Sequence, residues 1–238
     1  MKETQQLYEG KAKKVFATED EKYVIVNYKD DATAFNGKKK GTIASKGVIN
    51  NRMSNYLFQM LEKNGVETHF VEELDERRTV VKRVEIVPVE VVVRNIAAGG
   101  ICKRLGLTEG MKLCAPVVEY CYKSDELDDP MINDDHIKVM ELATEAEMRT
   151  IREMTLKING LLQKRLLKAD LILVDFKLEF GRFDGKIILA DEISPDTCRL
   201  WDVHTMAKLD KDRFRRDLGD VEEAYQEVMR RLMESDNK

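Results

Sequence analysis

The sequence predicts an α+β chain of two lobes, each with antiparallel strands and packed helices. Three observations predict it. Apolar and β-branched runs come in clusters, before residue 30, at 80–95 and at 171–193. Two long stretches between and beside them carry apolar residues at helical spacing. No internal repeat and no low-complexity linker separates them, so strands and helices belong to one compact arrangement. The lobes are expected to be residues 1–87, the smaller, and 88–238, the larger.

Leu7-Tyr8, Lys11–Ala17 and Tyr23–Tyr28 are apolar-rich runs broken by Gly10 and by the polar residues 18–21, the pattern of an antiparallel meander. A helix over residues 46–63 follows. Val48, Ile49, Met53, Tyr56, Leu57, Met60 and Leu61 fall on one broad face, and Asn64-Gly65 stops it. Val80–Val87 and Val89–Asn95 read as strands separated by Pro88, which cannot donate to a central ladder. Residues 122–136 hold six aspartates and glutamates around Pro130 and read as a long loop; such loops are often functional. The next helix starts at Thr144, with Glu147 completing a capping box. Leu171–Phe180 and Lys186–Ile193 are strands joined by a tight turn at Asp184-Gly185. Helices over 212–218 and 221–234, the second opened by Asp220, end the chain.

The 238 residues carry 40 Lys and Arg against 44 Asp and Glu, a formal charge of −4. That balance has no basic footprint for nucleic acid. No apolar run approaches the roughly 20 residues that span a bilayer, and the first residues do not resemble a signal peptide. A soluble cytoplasmic protein is expected. Cys102, Cys114, Cys121 and Cys198 form no Cys-x-x-Cys pair, so thiols are expected rather than a disulfide framework. His69, His136 and His204 never share a helical turn, which leaves a zinc site or a histidine triad unsupported. Any chemistry must come from Lys, Arg, Asp and Glu.

Leu171–Phe180 is the most informative stretch. After four apolar residues, period two sets in, with Asp175, Lys177 and Glu179 on one face and Phe176, Leu178 and Phe180 on the other. The next strand ends Asp191-Glu192-Ile193-Ser194-Pro195-Asp196 and returns carboxylates to the same end. Facing carboxylates repel unless a cation lies between them, and Mg²⁺ bridging to phosphate oxygens is the usual occupant. The register that gathers these charges pairs Arg182 with Lys186 across a three-residue loop, 183–185. Lys177 then lies opposite Asp191, and Ile188 shares the face of Phe176 and Phe180.

Gly10-Lys11-Ala12-Lys13 sets two lysines on one face beside a glycine, the pattern of a solvated strand edge or of backbone approaching a polyphosphate, and no P-loop spacing exists. Gly37-Lys38-Lys39-Lys40-Gly41-Thr42 fails that spacing, and its Lys38-Lys39-Lys40 run reads as a surface loop. Arg94 precedes Gly99-Gly100, and Arg199 follows the Pro195 turn. Arg94 can grip an anion in two places or lie in a structural ion pair beside a tight turn, and Arg199 adds a second arginine. Lys211 and Arg215, four apart on a helix, add positive charge. Cations from several distant segments beside carboxylates suit a polyanionic substrate.

Together these segments resemble the SAICAR synthetase (phosphoribosylaminoimidazole-succinocarboxamide synthase) family over the whole chain. The resemblance is carried by Tyr8–Lys13, Pro88–Gly99, Asp129-Pro130-Met131, Leu171–Gly181, Asp191–Asp202 and Asp210–Arg215. It implies an ATP cleft between the lobes, Mg²⁺, a homodimer, and an ATP-dependent carbon–nitrogen ligase. The implied substrates are ATP, L-aspartate and 5-amino-1-(5-phosphoribosyl)imidazole-4-carboxylate. By position it also implies Lys11 and Lys13 over the ATP phosphates and backbone near Lys82 and Val84 at adenine. Glu179 and Asp191 would bind Mg²⁺, with Asp129 near a metal on the imidazole carboxylate. Arg94, Arg199 and Gly99-Gly100 would hold the ribose phosphate. Lys177, Asp196, Lys211 and Arg215 would arrange the carboxylates, with Lys13, Asp175 and Lys177 nearest the chemistry. Relatives commonly carry Ser where this chain has Gly100. A small-molecule kinase of related fold is the alternative, and a nucleotide sensor without turnover a third reading.

Overall fold

The computed structural model describes residues 1–34 and 39–235. Strands β1 (Glu3–Glu9), β2 (Lys13–Thr18) and β3 (Tyr23–Tyr28) form the expected meander, followed by the hairpin β4 (Asp31–Ala34) and β5 (Lys39–Thr42). Lys39 and Lys40 therefore open a strand where the sequence suggested a loop, while Lys38 lies outside the described residues. Helix α1 (Lys46–Lys63) leads to β6 (Phe70–Glu73) and β7 (Arg78–Lys82). The small sheet runs β1-β2-β3-β7-β6.

The strand expected over 80–87 is two strands on two sheets. After Lys82 the chain leaves the small sheet, and β8 (Glu85–Ile86) pairs with the later strand β12 (Leu171–Phe183). Next come β9 (Val89–Ile96), α2 (Gly100–Leu105) and β10 (Lys112–Tyr122). The acidic stretch 122–136 is not structureless. It holds a 3-10 turn at Asp125–Leu127, strand β11 (Met131–Ile132) and the start of α3 (Asp134–Val139), capped by Asn133. Helix α4 (Glu145–Leu167) precedes β12; then follow β13 (Lys186–Ala190), β14 (Cys198–Asp202), α5 (Asp212–Arg215) and α6 (Val221–Glu234). Helix α5 is a single turn, shorter than the expected 212–218, and Asp220 precedes α6 without capping it. The large sheet runs β11-β10-β9-β12-β13, with β14 and β8 also on β12. Among the described residues no helix is long and apolar enough to cross a membrane, and all four cysteines are free.

Helix α1 couples the two sheets because it is buried on two faces. Met53, Leu57, Phe58 and Leu61 join the main core with Val91, Ile158, Phe176 and Val228. Its polar side, Asn51 and Asn55, faces the small sheet instead, where both bond Thr79. Apolar periodicity found the first face, but a buried polar face has no hydrophobic signature.

The β12–β13 register corrects the sequence expectation. Phe183 pairs with Lys186 and Glu179 with Ala190, across a two-residue loop in which Asp184 (φ 46°) and Gly185 (φ 78°) are both left-handed. A tight primed turn matches strand twist better than the three-residue loop. It sets Leu189 opposite Phe180 in the main core, while Ile188, equally buried, lies on the other face.

Thr144 and Glu147 form the capping box of α4, and Glu147 also pairs with Arg182 on β12 at 2.6 Å. The Arg182 hydrogen bond holds the Glu147 carboxyl down at about 2. A carboxyl depressed in the folded state stabilises above its unfolded value, near 4.3, and that stabilisation is lost as pH falls toward 2. Glu147→Gln should lower Tm by about 2–4 °C at pH 7 and converge on the parent near pH 2. Equal Tm at pH 7 would exclude this role.

Candidate active site

The turn between β1 and β2 leans over the large sheet, and beneath it lies a cavity of about 270 Å³. Lys11, Lys13, Lys177, Glu179, Asp191, Asp196 and Lys211 line it, seven of the residues singled out from sequence. Glu90, Lys123, Asp125 and Glu192 line it too and were missed. Glu192 was visible in the returning acidic run. Glu90 and Lys123 stand alone in sequence and come to the cavity only through pairing of β9 and β10 with their neighbours.

Five lysines face six carboxylates around this cavity. Lys177 contacts Glu179, lies 3.0 Å from Glu90 and 3.6 Å from Asp191. Lys13 lies 2.5 Å from Asp191 and 2.8 Å from Glu192. Burial works against the charge on both lysines, yet the carboxylates beside them hold both ammonium groups above their ordinary value. Burial likewise opposes the Asp191 charge, but Lys13 and Lys177 keep its carboxyl well below the usual range. Lys11 reaches Asp125 at 2.6 Å, joining the turn to the acidic segment.

Glu179 and Asp191 converge on Lys177 although the register is not the one that predicts it. In a continued strand Asp191 would oppose Leu178 and point into the core. The ladder instead ends at Ala190, and Asp191 adopts φ 59°. That left-handed residue, tolerated by Asp better than by most side chains, breaks the alternation and turns the carboxylate into the cavity. Hard oxygen donors of this kind fit Mg²⁺, which is often held by one or two carboxylates plus phosphates. No group of three His, Cys, Asp or Glu among the described residues could hold a metal alone.

A second cluster adjoins the first, since Asp175 lies two residues before Lys177 on β12. Arg94 and Arg199 share the Asp175 carboxylate at 2.8 and 2.9 Å. Arg94 also bonds Glu119, which Arg104 contacts, and Asp212 accepts from Arg199 at 2.9 Å and Arg215 at 2.6 Å. Arg216 lies 3.7 Å from Asp212 and also pairs with Glu109, so five guanidiniums share four carboxylates. Asp196 accepts from Lys46 at 2.8 Å and Tyr225 at 2.7 Å and lies 3.5 Å from Lys211. Lys46, fully buried, carried no sequence signal beyond its charge.

Other singled-out residues lie apart from the cavity lining. Lys82 bonds the Thr68 carbonyl at 2.8 Å, and Val84 packs over Gly181. Asp129 accepts from the Ser124 amide at 2.9 Å.

Gly99 and Gly100 differ in what they permit. Gly99 has φ 61°, and a Cβ there would meet the Arg199 guanidinium at 2.6 Å. Gly100 is outside the left-handed region, and its Cβ would meet only the movable tip of Arg104, at 2.8 Å. Gly99→Ala should therefore cost about 1–3 kcal/mol of stability, whereas Gly100→Ser should stay within about 0.5 kcal/mol of the parent. Denaturant titration of the two variants checks the contrast, which a neutral Gly99→Ala would abolish.

A family model described as SAICAR synthetase matches residues 6–232. Phosphoribosylaminoimidazole-succinocarboxamide synthase of Thermoanaerobacter sp. (strain X514) is 61% identical over 232 residues, covering 98% of this chain and 99% of the relative. The crystal structure of the enzyme of that name from Ehrlichia chaffeensis superposes with a TM-score of 0.94 at 46% identity, covering 96% of this chain and 98% of that one. A SAICAR synthetase solved in complex with ADP gives 0.92 at 50% identity, covering 94% and 96%. With sequence, fold and the ordered segments in agreement along its length, this chain belongs to the SAICAR synthetase family.

Proposed function

We infer that the protein is the ATP-dependent ligase of purine biosynthesis that joins L-aspartate to 5-amino-1-(5-phosphoribosyl)imidazole-4-carboxylate, giving SAICAR, ADP and phosphate. The observation that carries this reading is the division of charge. A lysine–carboxylate cavity adjoins an arginine cluster with one guanidinium more than its carboxylates. The first suits a metal-bound polyphosphate, the second a phosphate monoester.

A carboxylate is a poor electrophile. Its oxygen therefore takes the γ-phosphoryl group of ATP, and ADP leaves. The aspartate amine then forms the C–N bond to the acyl carbon as the C–O bond to phosphate breaks. Phosphoryl transfer of this kind needs positioned charge more than a protein nucleophile, in keeping with a cavity lined by Lys, Asp and Glu. Lys11 and Lys13 would lie over the phosphates, with adenine near the backbone of Lys82 and Val84, between lobes 1–87 and 88–238. The ADP held by the 50%-identical relative supports a nucleotide in this cleft. Glu179 and Asp191 would hold Mg²⁺, which neutralises phosphate oxygens when bound. Lys177, flanked by Glu90, Glu179 and Asp191, would stand where charge moves between the two substrates. Arg94, Arg199 and the Gly99-Gly100 backbone would grip the ribose phosphate, held by Asp175 from behind. Asp196, Lys211 and Arg215 would orient the carboxylates. A homodimer in the cytoplasm completes the reading.

ADP release should require the imidazole carboxylate and aspartate together; ADP formed with a hydroxyl acceptor instead would make the protein a kinase. Arg94→Lys and Arg199→Lys lose the planar two-point grip. Each should raise KM for the imidazole ribonucleotide about tenfold or more and leave KM for ATP within about twofold. Equal rises in both KM values would remove the arginines from the phosphate site.

A further inference from the structure

Arg104 has no task in the reaction derived above. It lies one turn beyond Gly100 on α2, and helical side chains lean back toward the start of their helix. Its guanidinium therefore comes down on the Gly99-Gly100 step, where strand pairing brings two others. Asp175 on β12 has Arg94 of β9 on one side and Arg199 of β14 on the other, and it accepts from both. Glu119 on β10 lies diagonal to Arg94, two places beyond Val117, its direct partner. One Glu119 oxygen accepts from Arg94 Nε at 2.7 Å, and the other from Arg104 Nη2.

These bonds use particular nitrogens and leave others. Among the described residues, Arg94 Nη2, Arg104 Nη1 and Arg199 Nη2 have no acceptor. Those three nitrogens are the ones that close on the two glycines. A Cβ at Gly99 would lie 2.6 Å from Arg199 Nη2, and one at Gly100 would lie 2.8 Å from Arg104 Nη1 and 3.8 Å from Arg94 Nη2. The missing side chains are what admit them. The carboxylates hold each arginine by its other nitrogens and so turn the unused N–H groups toward one place. Like charges gathered there repel unless an anion lies among them, and a phosphate monoester offers three acceptor oxygens. The Arg104 side chain is 38% exposed, against 9% for Arg94 and 18% for Arg199, so it is the arginine an arriving anion meets first. We propose that Arg104 is a substrate-binding residue, whose Nη1 joins Arg94 and Arg199 on the phosphate of the imidazole ribonucleotide. This rests on the reading of the arginine cluster as the phosphate site.

The imidazole ribonucleotide is compared with its nucleoside, which lacks only the phosphate. Initial rates give KM for the ribonucleotide, and competition against it gives Ki for the nucleoside. Arg104→Met keeps a long side chain over Gly100 and removes the donors. It should raise the ribonucleotide KM about tenfold, the scale of one lost hydrogen bond between charged groups, and leave the nucleoside Ki and the ATP KM within about twofold. An unchanged ribonucleotide KM, or an equal rise in KM and Ki, would overturn the proposal. Arg94→Lys is measured alongside. If it raises Ki as much as KM, the reading of the cluster as the phosphate site fails. If it raises KM alone while Arg104→Met raises neither, only the role of Arg104 fails.

Removing Arg104 also frees Glu119, so the contact itself is read on the parent protein. Phenylglyoxal modifies accessible guanidiniums, and mass spectrometry of the peptides reports Arg104. The ribonucleotide should slow this modification severalfold, and the nucleoside should not. An Arg104 that stays reactive under the ribonucleotide, or that the nucleoside protects as well, would refute the proposal whether or not Arg104→Met folds.

Discussion

Taking a carboxylate out of water costs several kcal/mol unless a cation lies beside it, and this chain buries Asp175, Glu179, Glu192 and Asp212 in one region. Each is answered by a lysine or arginine from another strand, helix or turn: Glu179 by Lys123, Glu192 by Lys13, Asp175 and Asp212 by Arg199. Lys13 meets Glu192 only when both sheets are in place, so closing this side of the cavity requires the two to pack together.

Strand β12 is the axis of this arrangement. Its first half pairs with β9 and β14, its second with β13 and β8. Asp175 thereby enters the arginine cluster while Lys177 and Glu179 enter the cavity. Two binding regions for two different anions can adjoin because one rigid strand supplies side chains to both. Helix α1 performs the complementary task. Its apolar face joins the main core, its asparagines hold the small sheet, and Lys46 at its start reaches Asp196. The small sheet, with Lys11 and Lys13 at its tip, is thus held at a set distance from the carboxylates.

A large part of this was legible in the sequence because it rests on local rules. The meander, the α1 and α4 stripes, the Thr144–Glu147 box and the left-handed Gly185 follow from periodicity, capping and turn chemistry. So does the gathering of charge on one face of β12, since side-chain direction alternates with every residue. The resemblance carried by ordered segments added the chemistry, which spacing alone does not contain.

Other features were decided only by tertiary structure. Two loop lengths were open at Asp184-Gly185, and the one adopted places Leu189 in the core with Phe180. In that register Asp191 should have faced Leu178. The backbone after Ala190 turned it back, a change of one φ angle that no pattern of residue types records. Lys46 joined the charged region from a position with nothing around it to mark a site, and Glu90 and Lys123, though inside segments singled out, gave no sign of their partners. Local sequence determines which residues are helical, extended or turning, because those preferences act over a few bonds. The partner of a buried charge is set by which distant strand arrives beside it, and that is a property of the packed whole.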